Sequence, residues 1–129
     1  MIVGIGIDIV DIARVARLVG RHPERALQRL FTLREVDYCR VRARSADHFA
    51  ARIAAKEATY KALGGAPAAQ ARGIAWKDIE IVARTGAPPT LELHGSARRA
   101  ADALGVRRAL VTLTHDAMTA AAFVILESE

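Results

Sequence analysis

The chain has 129 residues, of which 52% are hydrophobic, and it carries a formal net charge of +5. This length favours one compact domain over residues 1–129 and is short for two domains. No apolar run reaches the roughly 20 residues of a membrane-spanning helix, and the amino terminus lacks the features of a signal peptide, which together predict a cytoplasmic protein without membrane contact.

The first predicted element is a strand in the stretch "IVGIGIDIV", residues 2–10. Gly4, Gly6 and Asp8 alternate with a row of branched apolar residues, namely Val3, Ile5, Ile7 and Ile9. We expect the apolar row to face the core. Glycine within a strand permits close approach by another backbone or by a ligand, so the glycine row is open to a substrate or a metal ion at its Asp8 end. Asp8 ends the glycine row, and a carboxylate removed from water needs a partner.

Two short basic helices are predicted next, at residues 11–20 and 23–30, with Pro23 at the start of the second. Arginine recurs every three or four residues through both, at Arg14, Arg17, Arg21, Arg25 and Arg29. Such a basic face suits an acidic partner, and a solvated arginine surface is the alternative that the spacing leaves open. Thr32 and Glu35 then have the spacing of a capping box, which predicts a third helix.

The longest predicted helix is the alanine-rich segment at residues 46–65, which a pair of glycines brings to an end. Glu57 and Lys61 are four positions apart and therefore share one face of this helix. They form either an ordinary surface ion pair or part of a site in which Lys61 binds phosphate, with Lys56 as a second candidate for phosphate.

The second half of the chain is dominated by patterns typical of strands. Its predicted elements, in order, are a mobile loop at residues 66–76, a hairpin of strands at 78–84 and 90–93 with a turn at 85–89, a helix from the cap Ser96 to Gly105, and a second hairpin of strands at 108–116 and 119–127. The whole predicts an α+β fold with helices packed on one face of a mainly antiparallel sheet.

Three stretches carry polar groups that packing alone does not explain. Asp8 and Glu57 supply two carboxylates, which suit a hard divalent cation such as Mg²⁺ that leaves other positions for phosphate oxygens. His115, in the stretch "TLTHD", has three interpretations: phosphate binding, proton transfer, or capping of a strand end. The chain has no phosphate-binding glycine loop, no complete dinucleotide fingerprint, no serine-hydrolase elbow and, with Cys39 as its one cysteine, no cysteine-based zinc site.

Five motifs in a fixed order resemble one family. The stretches "GIGIDIVDIARV", "FTLREVDYC", "FAARIAAKEATYKALG", "WKDIEI" and "VTLTHD" are similar to those of holo-acyl-carrier-protein synthase, the short-chain class of phosphopantetheinyl transferases, from Met1 to about Glu127. The resemblance implies transfer of the 4′-phosphopantetheine arm from coenzyme A to a serine of apo acyl carrier protein. Adenosine 3′,5′-bisphosphate is released, and the holo carrier protein serves fatty acid biosynthesis.

The resemblance also implies roles for individual residues. The aspartate of "GIDI" and the glutamate of "KEA" hold magnesium in that family, which here are Asp8 and Glu57. Lys61 and His115 are the further catalytic candidates, and the candidates for coenzyme A binding are Lys61, Gly64, Thr114 and His115. The base that removes the serine proton is either Glu57 itself or a water bound to the metal near Asp8 and Glu57.

The resemblance implies two kinds of partner. The family docks the acidic carrier protein on the basic helix after the first strand, which matches Arg14, Arg17 and Arg21. Its short chains form homotrimers with each active site at a subunit boundary, where coenzyme A lies between neighbours.

Three other functions compete with this interpretation. A nucleic-acid-binding domain is disfavoured because only 5% of the residues are aromatic and no stacking pair or binding motif is present. A magnesium-dependent nucleotide phosphohydrolase would use the same two carboxylates without a carrier protein. The third alternative keeps the transferase and takes its acceptor from a polyketide or peptide synthetase.

Overall fold

The protein combines helices with antiparallel strands, and the structure, a computed structural model, describes residues 1–65 and 72–129. The strands are β1 (Ile2–Asp11), β2 (Ile79–Arg84), β3 (Ala87–Leu93), β4 (Arg108–His115) and β5 (Thr119–Glu127). The helices are α1 (Ile12–Arg21), α2 (Pro23–Leu30), α3 (Leu33–Arg40), α4 (Ser45–Ala62) and α5 (Gly95–Ala103), with a 3₁₀ turn at Trp76–Asp78. Most of the predicted loop, residues 66–71, lies outside the described residues.

The strands form two antiparallel sheets. β1, β5 and β4 form a three-stranded sheet in that order, and β2 pairs with β3 in a separate two-stranded sheet. Both predicted hairpins are confirmed, and so is the α+β class. The prolines predicted in the turn, Pro88 and Pro89, belong instead to β3. In a two-stranded sheet each strand uses one edge for pairing, so proline, which has no backbone N–H to donate, is tolerated on the other edge.

The glycine row of β1 packs on α4. A Cβ on Gly6 would overlap the carbonyl oxygen of Ala58, and one on Gly4 would overlap that of Ala62. The glycines therefore admit another backbone, which is one of the two possibilities that the sequence left open. The expectation that the isoleucine row faces the core is wrong, since Ile5, Ile7 and Ile9 are 57%, 62% and 66% exposed.

The exposed isoleucines belong to a broader apolar surface, which we call the outer sheet face. Pairing across β1, β5 and β4 places three rows of residues on this side of the sheet. The rows are Ile5–Ile125–Leu110, Ile7–Phe123–Thr112 and Ile9–Ala121–Thr114. The other side of the same strands carries residues such as Ala122, Val124 and Leu126, which are buried against α4.

The helices begin and end for local reasons. Thr32 and Glu35 form the predicted capping box at the start of α3, and Gly65 N–H donates to the carbonyl oxygen of Tyr60 just after α4 ends. The predicted cap at Ser96 is wrong, because α5 already begins at Gly95 and Ser96 lies in its first turn. His94, with extended backbone, precedes the helix.

Helix α4 separates two buried clusters. One cluster lies between α4, the three-stranded sheet and α5, and the other lies where α1, α2 and α3 pack on the amino-terminal half of α4. In the described part of the chain, no helix is both long enough and apolar enough to cross a bilayer.

Candidate active site

Asp8 of β1 meets the carboxyl-terminal half of α4 at Lys61. The Lys61 ammonium group donates to Asp8 Oδ1 at 3.1 Å and to the carbonyl oxygen of Ile7 at 2.8 Å. The Asp8 side chain is 17% exposed and the Lys61 side chain 52% exposed. In this structure the charge of Lys61 is therefore paired with that of Asp8. The exposed side of the ammonium group can still bind a further anion.

Glu57 lies one helical turn before Lys61 and shares this corner. Its pKa is raised above the ordinary value, first because the side chain is partly buried and second because of the negative charge of Asp8, while Lys61 acts in the opposite direction. The repulsion shows that two carboxylates from different elements converge here. The site thus combines two acceptor groups and one ammonium group.

A cleft of about 740 Å³ opens from this corner between α1 and α4. Asp8 and Glu57 line it together with the three arginines predicted to bind a partner, Arg14, Arg17 and Arg21. The remaining wall includes Leu18, His22, Ile53 and Trp76. One surface therefore joins the predicted metal ligands to the predicted docking residues.

His115 and Thr114 lie elsewhere in the protomer. His115 Nδ1 is 3.8 Å from Asp47 Oδ2 near the start of α4, and the His115 ring faces that of His48 at 6.4 Å. Asp47 and Glu57 are about 15 Å apart along the helix axis at 1.5 Å per residue. β1 and β4 are also the two outer strands of their sheet, which puts about 10 Å between Asp8 and His115.

The backbone explains the location of Gly64. Its φ of 115° is in a region that favours glycine. Its N–H group donates to the carbonyl oxygen of Lys61 at 3.2 Å. Gly64 therefore lies just past the end of α4 and is held next to Lys61 by this backbone hydrogen bond.

Lys56 is not a phosphate-binding residue, contrary to the prediction. Its side chain is fully buried, and its ammonium group donates to Glu35 Oε1 at 2.8 Å and to the carbonyl oxygens of Trp76 and Ile79. These three bonds use its three protons, which leaves none for a ligand.

Sequence reasoning missed a second acidic cluster, formed by Glu80, Glu92 and His94. Arg34 already supplies its cation, with Nε and Nη2 donating to Glu80 at 3.0 and 2.7 Å and Nη2 approaching Glu92 at 3.3 Å. Burial alone would raise the pKa of Glu80, but hydrogen bonds from Arg34, Thr32 and His94 outweigh it and lower that pKa to about 2. The alternation in "DIEIVAR" gave no sign of this cluster, because Glu80 lies in β2, Glu92 and His94 lie in and just after β3, and the Arg34 that pairs with them comes from α3.

The donor chemistry of the Asp8 and Glu57 corner fits a magnesium ion. Both groups are carboxylates, which are the oxygen ligands that this hard cation prefers. Partial burial raises the pKa of Glu57, and the charge of Asp8 raises it by more than the charge of Lys61 lowers it. A divalent cation held by the two carboxylates would offset their negative charge.

Comparison with known proteins identifies the family. The family model described as the 4′-phosphopantetheinyl transferase superfamily matches residues 4–121. The chain belongs to this superfamily. Within it the chain belongs to the family of holo-[acyl-carrier-protein] synthases, which are transferases, as the ordered motifs indicated.

Individual relatives cover almost the whole chain. The holo-[acyl-carrier-protein] synthase of Geobacter sulfurreducens is 47% identical over 127 residues, which span 98% of each protein. The structure of the Helicobacter pylori synthase in complex with coenzyme A matches 95% of this chain and 99% of its own, with a TM-score of 0.80 and 29% identity. That of the Neisseria meningitidis synthase matches 98% and 99%, with a TM-score of 0.84 and 28% identity.

Proposed function

We propose that the protein transfers the 4′-phosphopantetheine group from coenzyme A to a serine hydroxyl of an apo acyl carrier protein. The observation that supports this most directly is one cleft lined by two convergent carboxylates and an arginine-rich wall, with the Lys61 ammonium group paired to Asp8 at its edge. Carboxylates and ammonium suit a diphosphate, and the arginines suit an acidic protein. The relatives are named for this reaction, and the Helicobacter pylori structure contains coenzyme A.

Asp8 and Glu57 are the residues that would hold Mg²⁺. When bound, the ion supplies charge stabilisation for the diphosphate of coenzyme A as the phosphoryl group is transferred. Lys61 contributes a second positive charge from the protein, because its exposed ammonium group can donate to a phosphate oxygen while Asp8 orients it. Gly64 places backbone next to Lys61, where coenzyme A would approach.

The serine hydroxyl must lose its proton as it attacks. The pKa of Glu57 is raised in the metal-free protein, first by partial burial and then by the charge of Asp8, but a carboxylate that holds Mg²⁺ is a weaker base. We therefore favour a water held near Asp8 and Glu57 as the acceptor of the serine proton, with Glu57 Oε as the alternative. Arg14, Arg17 and Arg21 hold the acidic carrier so that its serine enters the cleft beside this carboxylate.

We further propose that the protein is a cyclic homotrimer in which the outer sheet face forms the contacts. This face exposes isoleucines in the protomer, and exposed apolar patches of this kind mark interaction surfaces. A cyclic arrangement joins unlike surfaces, so the β4 side of one subunit would meet the β1 side of the next. Thr114 lies on this face, and His115 follows it at the strand end.

The trimer explains why the predicted site residues do not meet within one protomer. Asp8, Glu57 and Lys61 would come from one subunit, and Thr114 and His115 from its neighbour, with coenzyme A between them. The cytoplasmic location stays a prediction of the sequence.

The intact mass of apo acyl carrier protein tests the proposed function. After incubation with this protein, coenzyme A and Mg²⁺, the carrier should gain about 340 daltons, the size of the phosphopantetheine arm, and chelator should abolish the gain. Carrier domains of polyketide and peptide synthetases, tested in parallel, show which acceptor is preferred. Hydrolysis of nucleotides with no gain on any carrier would replace the proposal by the phosphohydrolase.

A further inference from the structure

Lys56 immediately precedes Glu57 on α4 but is committed to a different part of the molecule. Its side chain is fully buried, and its ammonium group bonds to Glu35 Oε1 and to the carbonyl oxygens of Trp76 and Ile79. Two of these partners lie in the 3₁₀ turn and at the start of β2. Lys56 thus ties the helix that carries Glu57 to the segment that carries Trp76.

Glu35 holds Lys56 from the other side. Its Oε1 also accepts from Thr32 N–H at 2.9 Å, and its Oε2 accepts from Ile81 N–H at 3.0 Å. This carboxylate is therefore fixed by the capping box of α3 and by β2 at once. Because Glu35 is fixed, it holds the Lys56 ammonium group in one position, and the hydrogen bonds from Lys56 to the Trp76 segment are therefore rigid.

Trp76 connects this buried network to the active-site cleft. It lines the cleft that contains Asp8 and Glu57. Its ring packs edge-on against Tyr60 of α4 with centroids 5.5 Å apart, while its backbone carbonyl accepts from Lys56 at 3.0 Å. The place of the Trp76 wall relative to α4 therefore depends on this aromatic contact and this hydrogen bond, together with the packing of Trp76 on both buried clusters.

We propose that Lys56 is a positioning residue, whose ammonium group fixes the Trp76 wall of the cleft relative to Glu57. The effect on transfer rests on the proposed function, whereas the effect on Trp76 does not. A shift of about 1 Å in a cleft wall is enough to lower a rate substantially, because reacting groups must be aligned closely.

A role in positioning differs measurably from a role in stability. Removing Lys56 alone leaves Glu35 as an unpaired buried carboxylate, which is strongly destabilising, whereas removing both charges is often tolerated. The double variant Glu35→Gln/Lys56→Met should therefore recover most of the stability that Lys56→Met loses. It cannot recover the hydrogen bonds to Trp76 and Ile79, because methionine has no donor.

The experiment uses Trp76 as its own reporter, since it is the one tryptophan in the sequence. Its emission and its quenching by acrylamide are measured in the full-length protein without substrates, for Lys56→Met and for the double variant. The matched control is Leu126→Ala, which removes a fully buried side chain from the row that pairs with Gly4, at the other end of the sheet from the cleft. Melting temperatures and kcat/KM are measured for all of them.

We expect both Lys56 variants to shift the Trp76 emission to the red, to increase its quenching about twofold and to lower kcat/KM about tenfold. Leu126→Ala should lower the melting temperature without either change. Wild-type emission and quenching in the Lys56 variants would overturn the proposal, as would a double variant that regains both stability and kcat/KM. Absence of transfer by the wild-type protein would count against the proposed function, while the Trp76 emission would still decide the role of Lys56.

Discussion

Glu57 is half-buried beside a second carboxylate, and both features lower the free energy of unfolding when Glu57 is ionised. Burial and the charge of Asp8 raise its pKa in the folded protein, so the folded state holds the Glu57 proton more tightly than the unfolded chain does. The stability from this group is therefore present at low pH and is lost as the pH rises from the ordinary value of 4.5 through the folded-state pKa. At neutral pH the ionised Glu57 destabilises the metal-free protein.

Glu57→Gln should consequently make the metal-free protein more stable at pH 7 while abolishing transfer. The melting temperature in chelator should rise by a few degrees at pH 7, and the gain should disappear near pH 4, where Glu57 is protonated in both states. Asp37→Asn, which removes an exposed carboxylate on α3, serves as the control and should show no such pH-dependent gain. A Glu57→Gln protein no more stable than wild type at pH 7 would contradict this account.

The burial of Lys56 is a property that could not be predicted from the sequence. The motif "KEATYK" predicted two lysines of similar kind, but only Lys61 is exposed enough to meet a ligand. The burial of Lys56 depends on Glu35, which is 21 positions away, and on carbonyl groups of the Trp76 segment. Periodicity along one helix carries no information about partners this remote. The meeting of Asp8 with Glu57 and Lys61 was expected from the family resemblance and not from the place of Asp8 in β1.

At the scale of elements, the packing of β1 on α4 depends on its two glycines. A side chain at Gly6 would overlap the carbonyl oxygen of Ala58, so the strand and helix must separate. Gly6→Ala should lower the free energy of unfolding by about 3 kcal/mol, as overpacking does when backbone must move. Gly20→Ala, in α1 with open space around its Cβ, should instead raise it by about 0.5–1 kcal/mol. Urea unfolding of the two variants measures both values, and equal effects would contradict the close approach.

Helix α1 presents a row of arginines to the active-site cleft. Arg14 lines the cleft beside the carboxylates, so reversing its charge should repel an acidic carrier protein without touching coenzyme A. Arg14→Glu should raise KM for the carrier about tenfold and KM for coenzyme A less than twofold, and raising the salt concentration should narrow the difference from wild type. Steady-state kinetics with each substrate varied decides this, with Arg99→Glu on α5 as the control. An equal rise in both KM values would point to a folding defect.

β1 also shows what alternation predicts and what it leaves open. The two rows, glycine and isoleucine, are present as the sequence indicated, because a strand alternates its side chains regardless of context. Which row meets the protein's own core depends on whether a helix needs close approach, and the pattern does not contain that information. An apolar row looks the same whether it packs inside one chain or against another copy.

In the whole molecule, the proposed trimer would explain both the outer sheet face and the separation of the predicted site residues. The chain exposes the isoleucines of β1, and its sheet carries Asp8 and His115 on opposite outer strands. The helices, hairpins and fold class were predictable from local patterns, since each depends on neighbours in sequence. The proposed division of the site could not come from local patterns, because it depends on surfaces that would meet only in the assembly, and only the family resemblance implied it.

Subunit exchange tests this division directly. Asp8→Ala and His115→Ala proteins should each be inactive as homotrimers, because every site lacks one member. Mixing them under conditions in which subunits exchange should restore transfer, because some boundaries then join a subunit with intact Asp8 to one with intact His115. With equal amounts and random exchange, each boundary has about one chance in four of being intact, so activity should approach about a quarter of the wild-type value.

A further variant determines whether the restored activity requires the outer sheet face. Ile7→Asp places a charge in the middle of that face and should yield monomers by light scattering, because an unpaired charge in an apolar contact is costly. Adding Ile7→Asp to both proteins should prevent rescue, while each monomer keeps its folded circular dichroism spectrum. If the mixture stayed inactive although native mass spectrometry showed mixed trimers, Asp8 and His115 would have to act within one subunit, and the divided site would be wrong.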